Sequence, residues 1–209
     1  MNIKPPVRPQ DAINRLMSLL EPHATPINMV ARKRLSWEYK GKIQLYLFKK
    51  GELSIFRSSD RLLMVTVYES HLFGVAEMLQ PSRSHGLRAE VDTEILRIDS
   101  DKAMQLFSEH NMWEEVTRLL AYHTSYLVYR DDLVLQQRTY SVIRNHLMEM
   151  LLLPEETRSR VSMLEYIQDR THLSRSSILN VLSALKKGGY IEFARGGYLQ
   201  SITSLPEKF

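Results

Sequence analysis

The sequence predicts an α+β chain in three successive parts. These are an antiparallel β-roll of jelly-roll type with a short N-terminal helix (residues 1–108), a long connecting helix (109–137), and a C-terminal domain of winged helix-turn-helix form (138–209). Three observations predict it. Between Lys42 and Tyr68, short alternating runs are separated by turn residues, the rhythm of consecutive antiparallel strands. From Asn111 to Gln137 there is neither Gly nor Pro, and apolar residues recur in steps of three and four. From Ser162 to Gln200, SMLEYIQDRTHLSRSSILNVLSALKKGGYIEFARGGYLQ reads as helix, tight turn, second helix and hairpin.

In chain order, Pro5, Pro6 and Pro9 form an extended lead-in. Asp11 is expected to cap a helix with Ile13, Leu16, Met17 and Leu20 on one face, stopped at Pro22. The pattern over 27–39 is weak. Lys42 to Phe48 alternates, with Ile43, Leu45 and Leu47 on one side of a strand. Gly51-Glu52 turns the chain into Leu53–Phe56, and Arg57 to Arg61 turns it again into Leu62–Tyr68. Strands in this succession imply an antiparallel roll or barrel. A further strand, Glu94–Ile98, follows a loop, and Lys102–Phe107 reads as a short helix.

In the long helix, Trp113, Val116, Leu120, His123, Leu127, Arg130 and Val134 follow one another in alternating steps of three and four, the spacing of a coiled-coil seam. A second stripe, Leu119, Tyr122, Tyr126, Tyr129 and Leu133, lies beside it. Two stripes carry more apolar surface than one small roll covers. One is therefore expected to pack on the roll and the other on the same helix of a second subunit, with Trp113, Val116, Leu120, His123, Leu127 and Val134 at a homodimer interface. A single helix buried within one chain is the plainer alternative. Thr139–Leu153 forms another helix, with Ile143, Leu147, Met150 and Leu151 inward, ended by Pro154, and a charged loop from Glu155 to Arg160 follows.

The C-terminal stretch carries the chemistry. Ser162 with Glu165 three residues on is a capping box, so a helix begins there and buries Met163, Leu164 and Ile167. Ser174 caps the next helix, whose Ile178, Val181, Leu182 and Leu185 face a core while Arg175, Ser176, Asn180 and Ser183 face outward. A second helix set on so short a turn stands proud of its domain, with its first turn free to enter a major groove. Arg175 offers a bidentate fork to guanine, Asn180 pairs with adenine, and the hydroxyls of Ser174, Ser176 and Ser177 suit phosphate or base edges. Lys186 and Lys187 close the helix, Gly188 and Gly189 end it, and Arg195-Gly196-Gly197 forms a hairpin tip. From 170 to 200 there are five Lys or Arg (170, 175, 186, 187, 195) against one acid, Glu192, a surplus equal to the whole chain's +4. Positive charge is concentrated where phosphates would be met. The plainer reading is a protein-binding winged domain whose basic residues only complement a helix dipole.

Roll, long helix and winged helix in this order resemble the cyclic-AMP receptor protein and fumarate-nitrate regulator (CRP/FNR) superfamily of bacterial transcription regulators over nearly the whole chain. The phrases RSRVSMLEYIQDRTHLSRSSILNVLSALKKGGYIE and SITSLPEKF are similar to the enterobacterial IprA-type regulators, the inhibitors of hydrogen peroxide resistance. The resemblance implies a homodimer on double-stranded promoter DNA, read through Arg175, Ser176 and Asn180, with RNA polymerase a candidate partner. It also implies a link to oxidative stress. Ser176 stands where cyclic-AMP-responsive members carry an acid and Asn180 where they carry an arginine, so the target sequence is expected to differ from theirs. The family's phosphate cassette reads Phe-Gly-Glu and then Arg-Ser or Arg-Thr before a strand. Here FGVAEMLQPSRSHGLRAE keeps Phe73, Gly74, Arg83 and Ser84, but Val75 replaces the acid and Glu77 comes two residues late. A neutral branched residue cannot accept a ribose hydroxyl, so the cassette is degenerate and cyclic-nucleotide control of the family's kind is not expected.

Composition sets the outer bounds. With 209 residues, 44% of them hydrophobic, the chain can bury one sizeable core or two modest ones, with two domains expected, and its +4 charge favours an acidic partner only weakly. The absence of cysteine excludes disulfides, Cys-ligated zinc, iron–sulfur clusters and thiol redox sensing by this chain, and fits a reducing compartment. No apolar run reaches the roughly 18 residues of a membrane span, and the polar start MNIKPPVRPQ does not read as a signal peptide, so a cytoplasmic location is expected. The seven histidines form no spaced metal pair on one helix, and no triad order, loop carboxylate pair or P-loop is present. No enzyme, metal or cofactor is therefore expected, and the effector, if there is one, is unknown. The competing function is a small-molecule-sensing or protein-binding module whose DNA binding is incidental.

Overall fold

The computed structural model describes residues 4–81, 84–134 and 139–207, and the chain divides into two compact units, 5–127 and 128–209. The division falls within the long helix. In the first unit, α1 (Gln10–Leu20) leads through a single 3-10 turn, Glu21–His23, to β1 (Thr25–Met29), β2 (Arg34–Leu35), β3 (Glu38–Tyr39), β4 (Lys42–Lys50), β5 (Leu53–Arg57), β6 (Leu63–Val67) and β7 (His71–Phe73). Then come α2 (Val75–Leu79), β8 (His85–Ala89), β9 (Thr93–Asp99), α3 (Ser100–Glu109) and the long α4 (Trp113–Val134). The second unit holds α5 (Thr139–Leu151), α6 (Glu155–Arg158), α7 (Met163–Arg170), α8 (Arg175–Lys187), β10 (Ile191–Phe193) and β11 (Leu199–Ile202).

The roll is two antiparallel sheets. One runs β1-β9-β4-β3, with β7 also paired to β4; the other runs β2-β8-β5-β6. Met29, Tyr46, Phe48, Phe73 and Ile95 from the first sheet meet Leu53, Leu87 and Ala89 from the second, so the space between the sheets is filled by side chains. The other face of the first sheet carries Leu45, Leu47, Leu72 and Ile98. They pack on Ile13, Leu16, Met17 and Leu20 of α1, Val75 and Met78 of α2, Ala103, Leu106 and Phe107 of α3, and Val116 and Leu119 of α4. β4 is therefore buried on both faces, a central strand rather than a half-wet one.

Several expectations are corrected. Asp11 does not cap α1: the cap position is Pro9, whose carbonyl accepts from the Ile13 amide at 3.0 Å. The Asp11 carboxylate instead accepts two bonds from Arg118, at 2.8 and 2.9 Å, and that guanidinium holds it below the usual carboxylate range. The weak stretch 27–39 contains the end of β1 with β2 and β3, and the loop before Glu94 contains β7, α2 and β8. The strands among them are short and gain their order from pairing, β1 with β9, β2 with β8, β3 and β7 with β4, and β8 with β5, which no local pattern records. The charged loop after Pro154 contains the one-turn α6.

On α4, Val116 and His123 do not face outward. Val116 is 1% exposed beside Leu119 in the unit's own core, and His123 turns onto β7. Among the described residues, the large apolar side chains that α4 exposes are Trp113, Leu127 and Val128, while Leu120 is partly covered by the core. The side chain of Val134 lies outside the described residues. Among the described residues no helix is long and apolar enough to cross a membrane.

Candidate nucleic-acid interface

α7 begins as its sequence dictates. The Ser162 hydroxyl accepts from the Glu165 amide at 3.2 Å, and the Glu165 carboxylate accepts from the Ser162 amide at 3.2 Å, so the two satisfy each other's free backbone donors. Ser174 caps α8 by the first of these bonds alone, accepting from the Ser177 amide at 3.1 Å. The helix ends in a Schellman motif. The Tyr190 amide donates to the Leu185 carbonyl and the Gly189 amide to the Lys186 carbonyl, both at 3.0 Å, with Gly189 in the left-handed region at φ +72°. Both ends of α8 are thus fixed by groups within a few residues of it.

The inner face of α8, Ile178, Leu182 and Leu185, is buried against Tyr140, Ile143, Leu147 and Met150 of α5, Met163, Tyr166 and Ile167 of α7, and Ile191 and Leu199 of the wing. The outer face shows Arg175, Ser176, Leu179, Asn180 and Ser183 to solvent. The wing is the antiparallel pair β10–β11, turned by Gly196 and Gly197 at φ +96° and +84°. Its tip is tied to the start of α7 by the Met163 amide donating to the Gly197 carbonyl at 2.9 Å. Arg195 stands exposed at that tip.

Four of the five basic residues of this stretch are exposed: Arg175, Lys186, Lys187 and Arg195. Arg170 is not. It is 8% exposed, stacks 3.7 Å above the Tyr166 ring and donates to the Tyr166 carbonyl, so it belongs to the domain's core. The Lys186 ammonium sits 4.1 Å over the Phe193 ring, which aims it along the wing. Ser176 and Ser177 hydroxyls lie 3.0 and 2.8 Å from the Ser174 oxygen, so the cap prearranges them as a cluster. An arginine fork, a carboxamide and short hydroxyls on a supported helix, rimmed by cations, are the parts that major-groove reading needs.

Residues 139–207 match the family described as winged helix-turn-helix DNA binding. That stretch, a third of the chain, is similar to this family and has the helix-turn-helix and wing form just described. Over 204 residues, 97% of this chain and 98% of the relative, the sequence is 29% identical to the inhibitor of hydrogen peroxide resistance of Salmonella typhimurium. It is also 29% identical to the protein of the same name from Escherichia coli over 165 residues, 78% of this chain and 79% of that one. Among solved structures, the c-di-GMP-responsive global regulator CLP of Xanthomonas campestris superposes with a TM-score of 0.73 at 16% identity, covering 91% of this chain and all of that one. A protein of Eubacterium rectale assigned to the crp/fnr family of regulators does so with a TM-score of 0.66 at 16% identity, over 92% and 93% of the two chains. The fold is that of the CRP/FNR regulators, with the winged helix-turn-helix domain C-terminal to the roll.

In the roll, Phe73 is buried between the sheets and Gly74 starts α2 in the left-handed region at φ +95°. A Cβ there would lie 2.7 Å from the Gln44 carbonyl oxygen. Val75, at the position of the family's acid, is wholly buried among the helices. Glu77 is half-buried, and burial raises its carboxyl above the ordinary range. Ser84 is exposed, 2.9 Å from His85 Nδ1, and Arg83 lies outside the described residues.

The structure also joins two histidines that lie 52 residues apart: His71 Nε2 and His123 Nε2 are 2.9 Å from each other. Arg8, a donor only, reaches His71 Nδ1 at 3.2 Å, so that nitrogen accepts and the proton of His71 sits on Nε2, donated to His123. Burial, then the His123 and Arg8 charges, holds His71 well below its ordinary pKa. Burial pushes His123 down to about 4. Helical spacing alone gave no sign of this pair.

Proposed function

We propose that this chain is a sequence-specific transcriptional regulator that binds promoter DNA as a homodimer and takes part in the response to hydrogen peroxide. The observation that carries the reading is the outer face of α8, where Arg175, Ser176 and Asn180 stand exposed on a helix capped at both ends and seated on an apolar core. Such a face reads base edges, and Lys187 and Arg195 beside it meet phosphates.

Dimerisation places two α8 helices about one DNA turn, roughly 34 Å, apart on an inverted repeat. Trp113, Leu127 and Val128, exposed along α4, supply the apolar contact. RNA polymerase is the partner through which promoter binding acts, in the cytoplasm. The peroxide link follows the name that the Salmonella and Escherichia relatives bear. With no cysteine in the chain, a redox signal reaches it indirectly or through a bound effector. That effector is not a cyclic nucleotide held in the family's manner, since Val75 offers no acceptor to a ribose hydroxyl and points into the helix-side core.

The deciding experiment is selection of bound duplexes from random DNA with the full chain, followed by footprinting of the selected site. Arg175→Ala is expected to abolish protection while melting at the wild-type temperature. Unchanged protection removes Arg175 from the reading set. Binding whose affinity is flat in salt favours a protein-binding or small-molecule-sensing module instead, because release of counterions from contacted phosphates makes DNA affinity fall steeply.

A further inference from the structure

The outer face of α8 contains one residue that hydrogen-bond readout does not use. Leu179 is 42% exposed, the one large apolar side chain that the described residues of α8 turn to solvent. Its neighbours a turn away are Arg175, Ser176 and Ser183, all exposed, and the buried Leu182, so it sits at the edge of the reading face rather than in the core. A lone exposed leucine is ordinary on a protein surface. On a helix that enters a groove it is not neutral, because whatever lies opposite loses water to it.

The major-groove edges present nitrogen and oxygen acceptors, amino donors and one apolar feature, the C5-methyl of thymine. A leucine side chain gives the acceptors and donors nothing in exchange for the water it displaces, and gives the methyl a van der Waals partner. Leu179 lies four residues, about 6 Å along the helix, from Arg175. At about 3.4 Å per base pair, its target falls within about two pairs of the guanine that Arg175 contacts. We propose that Leu179 is a specificity-determining residue that selects thymine by its methyl group, within two base pairs of the Arg175 contact in each half-site. This rests on the DNA-reading function given above.

The test uses the full chain and its selected site, with each thymine of the half-site replaced in turn by deoxyuridine, which lacks only the methyl. Wild-type protein is expected to lose about fourfold in affinity per half-site at one such thymine, the worth of one buried methyl. Leu179→Ala, whose side chain is already solvent-facing and whose melting temperature should be unchanged, is expected to bind thymine and deoxyuridine duplexes equally while keeping the guanine preference. Indifference of the wild type to deoxyuridine at every half-site position overturns the assignment, as does a selected half-site with no thymine within two pairs of that guanine. Failure to select any site at all sinks the DNA-reading function itself, and this inference with it. A selected, footprinted site without methyl dependence sinks the Leu179 assignment alone.

Discussion

Gly74 carries a constraint that no other residue type meets: its φ of +95° is left-handed, and a Cβ would come within 2.7 Å of the Gln44 carbonyl oxygen and 3.0 Å of Leu45 Cα, both backbone. Because β4 cannot move aside, Gly74→Ala is expected to cost about 2–4 kcal/mol in urea unfolding. A midpoint like the wild type's would show that the β7–α2 turn relaxes freely. The His71–His123 pair makes a second prediction at this scale. The unfolded rings take protons near pH 6.5, whereas the folded rings hold out to far lower pH, about 4 for His123. Stability is therefore full above pH 6.5 and falls as acid is added, by up to about 1.4 kcal/mol per pH unit for each ring. Replacing both, His71→Gln with His123→Gln, is expected to flatten urea stability between pH 6.5 and 5 relative to wild type; an identical slope would place the titration elsewhere. Residue identity made some sites legible in the sequence and hid others. Ser162 and Ser174 announce their caps because a cap is settled within four residues. The histidine pair was not legible, since its partners come from a strand and a helix distant in the chain.

Helix α8 shows what an element's pattern does and does not encode. Its period of 3.6 separates Ile178, Leu182 and Leu185 from Arg175, Ser176 and Asn180, and the structure keeps that division. On α4 the same kind of reading failed at Val116 and His123. Spacing reports that a stripe is apolar, not which neighbour covers it, and the sheet and α1 covered that one first. Likewise, β2 and β3 have two residues each and exist through their ladders to β8 and β4 rather than through propensity. For α8 itself, Ser174→Ala removes the acceptor for the Ser177 amide and loosens the serine cluster at the reading end. A loss of about 1 kcal/mol is expected in thermal unfolding, together with weaker binding to the selected site. If stability and affinity both stayed at wild-type values, the cap would not be what holds the first turn in place.

At the scale of the whole molecule, the proposed reading of DNA uses two copies acting together. One winged domain offers the four exposed cations of its 170–200 stretch, and two domains on one duplex would double them. The proposed joining surface is the exposed stripe of α4, Trp113 at 36%, Leu127 at 42% and Val128 at 58%, which runs beside the Val116 and Leu119 side chains committed to the roll's core. Leu127→Glu with Val128→Glu puts charge into that contact without touching a buried side chain. The double variant is expected to sediment as a monomer where the wild type sediments as a dimer, with its melting transition retained. Its affinity for an inverted repeat is expected to fall to that for a single half-site, while the wild type binds the repeat far more tightly than the half-site. Salt titration adds an independent readout. The slope of log affinity against log salt is about −0.9 per phosphate contacted, so losing one domain from the duplex should roughly halve it. A variant that remains dimeric would move the interface off this face of α4. One that is monomeric yet keeps the full slope and affinity would mean that a single winged domain makes all the contacts, and the paired arrangement would then have no part in recognition.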